Sequence, residues 1–594
     1  MEGEILERRS RSLVFRTRWH VVAWSVLAAG GFLLCLQSYE RWGDPTIDLG
    51  RDLYLSSRVL HGQVLYRAEQ YNYGPVAPYL LAASVALFGD QLLVFESVGA
   101  LVGLATMVAL YGIGLLVGGG ERRGALVGFF SALLFLRLSF FASSGSGFNF
   151  VLPYSYAATV ATAFAAWSFL LLLHHLYRGR SLSGLLASGA LALAALFTKA
   201  EVGAAIAMVH GLAYWTHRVS RKAVLGLGAA AIVLFAVFVG VFHGRDATEL
   251  ALFAENVGKF AGSSGTSFFF RMVAGLDRPL AGLLEVLGDV GKATLIVGTG
   301  VLIGSAPALS RRGQRRAAVL LGTSSAAVFV CLLGLWAEAV LFRATLVAAV
   351  GLLAWLVARR RRDPLLLLAA FVVFSCPRIL FQYHPLWYGF YLAVPAYPFA
   401  AYLLGVRLPE WTSRSRLTAA AMAVIALAIV VRFHVETGRT LQKMTSRLVT
   451  SKGALRDFPI GRAEAIRGFL DHAERHFVPV RDTMVVFPEA VSLNYFTGVR
   501  NPTAYYHFLP PEVDSPAIER RIVAELEATR PDHVVLHSRD LTEYGSAGFC
   551  VDYAFEICAW IERNYSLERV FQAQEGASWR LVLLRKNERG LGKG

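Results

Sequence analysis

The chain has 594 residues, 55% of them hydrophobic and only 17% charged, with a mean hydropathy of +0.49. A soluble globular chain carries about 25% charged residues, so these long apolar runs exclude that class. The net charge of +16 does not point to nucleic acid, because the basic residues fall in short clusters between apolar runs. That is the positive-inside pattern of a polytopic membrane protein.

At the N-terminus Arg8, Arg9, Arg11, Arg16 and Arg18 precede an apolar run with no small-residue cleavage site, which reads as an anchor rather than a removable signal. The first span, 20–38, leads outward into a polar loop, 39–91. Asp48 and Asp52 lie four residues apart in it, so on a helix they share a face with β-carbons about 5–6 Å apart. Arg51, Arg58 and Arg67 follow among Tyr54, Tyr66, Tyr71 and Tyr73. After a turn at Gly74-Pro75 comes the apolar segment Val76–Phe88. At about 1.5 Å per residue it is too short to cross a hydrocarbon core of about 30 Å, so it is expected to lie in the interface. Carboxylates, arginines and aromatics held at a membrane surface suit a site for an anionic, lipid-linked substrate.

Further spans are expected at 92–117, 125–142, 156–176, 183–198, 201–216, 223–242, 292–309, 317–336, 340–358, 364–377, 388–405 and 417–432, with a polar loop over 243–291. Every second connection is arginine-rich, as at Arg122-Arg123, Arg311–Arg316 and Arg359–Arg362. The fold class is therefore a polytopic α-helical membrane protein of about thirteen spans, its N-terminus inside and its C-terminus outside. The membrane part is 1–433. Over 434–594 strand patterns (Thr483–Phe487, His533–Leu536, Arg580–Leu584) alternate with helical ones (Ala463–His476, Ile518–Ala528, Tyr553–Asn564), which predicts a compact soluble α/β domain. No catalytic spacing stands out there, and His507, Asp532, His533, His537 and Asp552 are expected at its surface. Cys35, Cys331 and Cys376 read as small buried residues, whereas Cys550 and Cys558 could pair in an extracytoplasmic domain.

Two other outward turns carry chemistry. Phe197–Glu201 sets Lys199 and Glu201 between apolar spans, and Pro377–Tyr388 adds Arg378 and His384 among aromatics that include Tyr388. An ionisable group at membrane depth costs roughly 2.5–3.5 kcal/mol, so each asks for a function or a partner. Structural accounts exist too. Lys199 and Glu201 could form a solvated turn, Arg378 an interfacial anchor, Asp52 a surface carboxylate paired with an arginine, and Asp48 a helix N-cap.

The acidic residue soon after the first span, the helix ending near Gly62, the aromatic-Gly-Pro turn and the segment ending Leu87-Phe88-Gly89 together resemble the C-type superfamily of membrane glycosyltransferases. The likeness is to protein O-mannosyltransferases and bacterial lipid A aminoarabinose transferases. It implies a polyprenyl-phosphate-linked sugar donor and Asp48 as catalytic base, with Asp52 beside it. Leu49 stands where the family has a second acidic residue, and Tyr73-Gly74-Pro75 replaces a Lys-Pro-Pro turn. The phosphate ligand is therefore sought among Arg378, Lys199, Arg67 and Arg51. Glu201, Tyr73, His384 and Tyr388 are the substrate-binding candidates.

The reading is an inverting glycosyltransferase of the bacterial inner membrane, its C-terminal domain periplasmic and its acceptor a lipid, glycan or protein. Membrane lipids are its other partners, and nucleic acid is not one. No cofactor is required, although a divalent metal could bridge Asp48, Asp52 or Glu201 to the phosphate. The rival readings are a transporter or flippase of lipid-linked saccharides and a non-catalytic envelope assembly protein.

Overall fold

The computed structural model describes residues 2–587 apart from 45, 67–68, 120, 142–146, 180, 218–225, 227, 230–231, 234–235, 237–267, 312–313, 335–337, 412–414, 480 and 574–578. Helices follow the apolar runs in order: α1 (Glu2–Ser38), α2 (Leu49–Leu60), α3 (Val76–Phe88), α4 (Leu92–Val117), α5 (Glu121–Phe135), α6 (Tyr156–Tyr177), α7 (Leu182–Thr198) and α8 (Ala200–His217). After the partly described stretch come α9 (Phe268–Ala274), α10 (Pro279–Arg311), α11 (Arg315–Gly334), α12 (Glu338–Ala358), α13 (Pro364–Ser375), α14 (Ala396–Tyr402), α15 (Leu408–Trp411) and α16 (Ser415–Lys443). Local sequence sets several ends. Ser181 caps α7 by accepting from the Gly184 N–H at 3.2 Å, and Asp363 caps α13 with Pro364 at its first turn.

Among the described residues five helices are long and apolar enough to cross a membrane by length and composition. The short apolar helix expected over Val76–Phe88 has those bounds. The sequence-based spans are corrected in two places. The loop over 243–291 is helical in its described end, because Pro279 starts α10 and Leu280, Leu283, Leu284 and Leu287 repeat at helical spacing. The span 388–405 is broken: Gly389 takes φ 82°, a 3₁₀ turn covers Phe390–Ala393, and Pro395 restarts the chain as α14, which continues as a π-turn over Leu403–Arg407. The expected span 223–242 lies almost wholly outside the described residues.

Past α16 the chain forms the hairpin β1 (Ser446–Thr450) and β2 (Gly453–Asp457), then α17 (Arg462–His476), β3 (Met484–Phe487), α18 (Ser492–Thr497), α19 (Pro516–Thr529), β4 (His533–His537), α20 (Phe555–Asn564), β5 (Tyr565–Phe571) and β6 (Leu581–Lys586). The sheet order is β3-β4-β6-β5, with β3 and β4 parallel and the other pairs antiparallel. Apolar side chains fill both faces, Ile466, Phe469, Val535 and Leu583 on one and Val485, Val534, Ile522 and Ile557 on the other. A disulfide joins Cys550 to Cys558.

This sheet domain is docked on the first loop. Gly50 in α2 meets α18 so closely that a β-carbon there would lie 2.6 Å from the Ser492 nitrogen. Around that contact Arg462 reaches Asp44 at 2.6 Å, Lys452 reaches Asp90 at 2.6 Å, and the Gln70 N–H donates to the Ala504 carbonyl at 2.9 Å. The carboxyl ends of β3 and β4 consequently face the start of α2.

Candidate active site

Asp48 occupies the N-cap position of α2, but its side chain makes no capping bond. It turns instead to Arg51, whose Nη1 lies 3.1 Å from Oδ1. Asp48 is 22% exposed, and its Oδ2 accepts no hydrogen bond from any described side chain. Burial pushes its carboxyl above the ordinary range, opposed by Arg51 and Arg539.

Asp52, one turn on, is committed to structure. Its Oδ1 takes Arg51 Nε at 3.2 Å and its Oδ2 takes the Tyr156 N–H at 2.7 Å, at the start of α6. Arg51 spends its remaining fork arm on the Tyr154 carbonyl at 2.8 Å. Arg51 and Asp52 thus brace Asp48 against α6.

The second group of charges comes from the turns that follow α7 and α13. Gly74 packs so tightly on the end of α7 that a β-carbon would fall 1.7 Å from the Phe197 carbonyl oxygen, and its N–H donates to the Thr198 carbonyl at 3.2 Å. That close approach brings the Tyr73 ring against two cations, with Lys199 Nζ 3.5 Å and Arg51 Cζ 5.1 Å from its centroid. Lys199 is 1% exposed, and its ammonium makes no hydrogen bond, lying 3.6 Å from Glu201 Oε1. Burial, offset in part by Glu201, brings it down to about 7. Glu201 Oε1 also takes Arg378 Nη1 at 2.6 Å and the Tyr391 hydroxyl at 2.8 Å. Tyr73 and Tyr154 are each within electrostatic reach of Asp48, Arg378 and Glu201, so the two groups form one site.

The C-terminal domain supplies a third wall. Arg539, just past β4, lies 3.2 Å from Glu489 and 2.5 Å from Glu543, and Glu543 accepts from the Tyr388 hydroxyl at 2.9 Å. Asp48 feels both Arg539 and Glu543, and Glu489 feels Asp48. Sequence reading missed these three residues, since each is an isolated charge in a loop with no motif around it. It also misplaced three histidines. His507, His533 and His537 are buried rather than at the surface, His507 within reach of Arg51 and Arg539, whereas Asp552 is exposed as expected. His533 lines a polar cavity of about 1060 Å³ at the opposite end of β4, away from Asp48.

The structure therefore brings together Asp48, Asp52, Arg51, Tyr73, Lys199, Glu201, Arg378 and Tyr388. His384 stands elsewhere, facing Arg343 and Asp289. Arg67 lies outside the described residues. Among the described residues no group of three or more His, Cys, Asp or Glu is arranged to hold a metal ion.

No family model and no curated protein matches the chain. Among solved structures it is similar to ArnT from Cupriavidus metallidurans bound to undecaprenyl phosphate, at 12% identity and TM-score 0.49 over 97% of this chain and 100% of that one. It is also similar to the archaeal oligosaccharyltransferase AglB from Archaeoglobus fulgidus, in complex with an inhibitory peptide and a dolichol-phosphate. There the identity is 13% and the TM-score 0.49, over 98% of this chain and 75% of that one.

Proposed function

We propose that the chain is an integral-membrane glycosyltransferase that moves a sugar from a polyprenyl-phosphate donor to a hydroxyl acceptor on the outer face of the membrane. The observation that carries the reading is Tyr73, in contact with both Arg51 and Lys199, which joins a carboxylate with an uncommitted oxygen to a cluster of cations from separate segments. Asp48 takes the acceptor proton as that oxygen attacks the anomeric carbon. The bond to the phosphate breaks on the opposite face, so the anomeric centre inverts. The phosphate leaves as an anion and needs no acid. Arg378 and Lys199 stabilise its charge, the first as a planar fork and the second as a point charge. Arg51 and Asp52 position Asp48 and touch no substrate. Tyr388 and Glu543 line the approach on the acceptor side.

The test is reconstitution. Cells lacking the chain accumulate one polyprenyl-phosphate-linked sugar, and the purified chain in liposomes consumes it and releases polyprenyl phosphate when their delipidated envelope fraction is added. Movement of that lipid between leaflets without its consumption overturns the reading in favour of a flippase.

A further inference from the structure

β3 and β4 are parallel neighbours, in register from Met484 with His533 to Phe487 with Leu536. Ligands of α/β sheets bind beyond the carboxyl ends of such strands. Here those ends deliver Glu489, two residues past β3, and His537 and Arg539, at and just past the end of β4. Each lies within electrostatic reach of Asp44 or Asp48 of the first loop.

His537 is 6% exposed, and neither of its ring nitrogens has a hydrogen-bond partner. Asp44, Arg462 and Arg539 surround it, and Trp579 packs on it with ring centroids 5.1 Å apart. Burial holds the ring neutral, down to about 3. Glu489 is 1% exposed, and its Oε2 forms an ion pair with Arg539 Nε 3.2 Å away, although neither atom makes a hydrogen bond. Buried polar atoms are nearly always satisfied, so the two unpartnered nitrogens of His537, with the Glu489–Arg539 pair beside the proposed base, ask for a ligand. A neutral imidazole donates at one nitrogen and accepts at the other, Arg539 donates only, and a carboxyl accepts. A phosphate would meet Asp44, Asp48, Glu489 and Glu543, and an ammonium would meet Arg539 and Arg462. A hydroxyl, which both donates and accepts, matches the set.

We propose that Glu489, His537 and Arg539 form an acceptor subsite, and that what it takes is the vicinal hydroxyls of a sugar, so that the acceptor is a glycan. The inference deepens the transferase reading and rests on it. Arg539, 19% exposed, meets the incoming acceptor first, with Glu489 and His537 behind it. Together they hold one hydroxyl-bearing ring while a neighbouring hydroxyl faces Asp48.

The experiment uses the full chain in nanodiscs with two separately titrated probes from cells lacking it: their lipid extract as donor and their delipidated envelope fraction as acceptor. His537→Phe keeps the ring and removes both orphaned nitrogens, so its thermal midpoint should equal or exceed wild type. Its half-saturating amount of envelope fraction should rise about tenfold or more while that of the lipid extract stays unchanged. Glu489→Gln should shift the same quantity in the same direction, and His537→Gln, which keeps a donor and an acceptor, should recover part of the loss. Periodate treatment of the envelope fraction should abolish its acceptor activity, and protease treatment should not. Wild-type acceptor saturation in His537→Phe, or an equal shift in donor saturation, overturns the subsite. A periodate-resistant, protease-sensitive acceptor overturns the sugar assignment. Asp48→Asn lowers the maximal rate with both half-saturations unchanged, so a failure of the base and a failure of the subsite are read from different parameters.

Discussion

The ammonium of Lys199 lies 3.5 Å from the centre of the Tyr73 ring, a contact that joins the first loop to the turn between α7 and α8. A buried cation with an aromatic face and one carboxylate nearby is weakly held in its charged form. That makes pH the first handle on the site.

The transfer rate should follow a narrow bell. As the proposed base Asp48 must be ionised, and burial raises its carboxyl, so activity should be lost as pH falls through that raised value. As the proposed phosphate ligand Lys199 must be charged, and burial brings its ammonium down to about 7, so donor use should be lost as pH rises through that point. Lys199→Arg keeps its charge throughout and should erase the alkaline limb. A flat wild-type profile of kcat/KM between about pH 6 and 9 contradicts this assignment.

Arg51 should matter to the fold as much as to the rate. Replacing it with methionine strands Asp52, 1% exposed, with one oxygen unpaired. Removing one partner of a buried ion pair costs roughly 3–5 kcal/mol. The thermal midpoint of Arg51→Met should fall accordingly, and a midpoint at the wild-type value would show that α2 does not depend on the pair.

Gly74→Ala tests the seating of the turn. The added carbon would sit 1.7 Å from a carbonyl oxygen, so the turn must lift and carry Tyr73 off Lys199. Transfer should drop by about a hundredfold, the scale of a misplacement near 1 Å. Gly179→Ala, with nothing within 4 Å of the new carbon, is the matched control and should be silent.

Topology is checked by labelling. His61→Cys and Asp514→Cys, both exposed, should react with an impermeant thiol reagent in intact spheroplasts, and Arg360→Cys should react only after lysis. Protection of either of the first two in intact spheroplasts reverses the orientation.

Much of the membrane architecture was legible, because long apolar runs ended by arginine clusters leave little choice of helix. The bounds of α3 and α4 show it. The break at Gly389–Pro395 was hidden inside an apolar stretch whose composition reads as a span even though its backbone cannot continue. In the site, Asp48 and the Lys199 and Arg378 turns stood out as charges beside apolar segments. Glu489, Arg539 and Glu543 did not, because their meaning comes from the docking of α18 on Gly50, a contact between segments more than four hundred residues apart. The histidines of β4 were misjudged for a related reason. His533 and His537 share the face of Val535, so the core that buries Val535 takes them with it.

The central claim is that Asp48 is the base, and the direct test is to compare Asp48→Asn with Asp52→Asn in the same reconstituted assay. Asn at position 48 keeps the shape and the contact to Arg51 but cannot usefully take a proton. Asp48→Asn should keep its thermal midpoint and its donor saturation while losing about a hundred- to ten-thousandfold in maximal rate. Asp52→Asn should lower the thermal midpoint and cost less in rate, since both oxygens of Asp52 already serve Arg51 and Tyr156. A fully active Asp48→Asn, or an Asp52→Asn that loses more of the rate, would contradict the account.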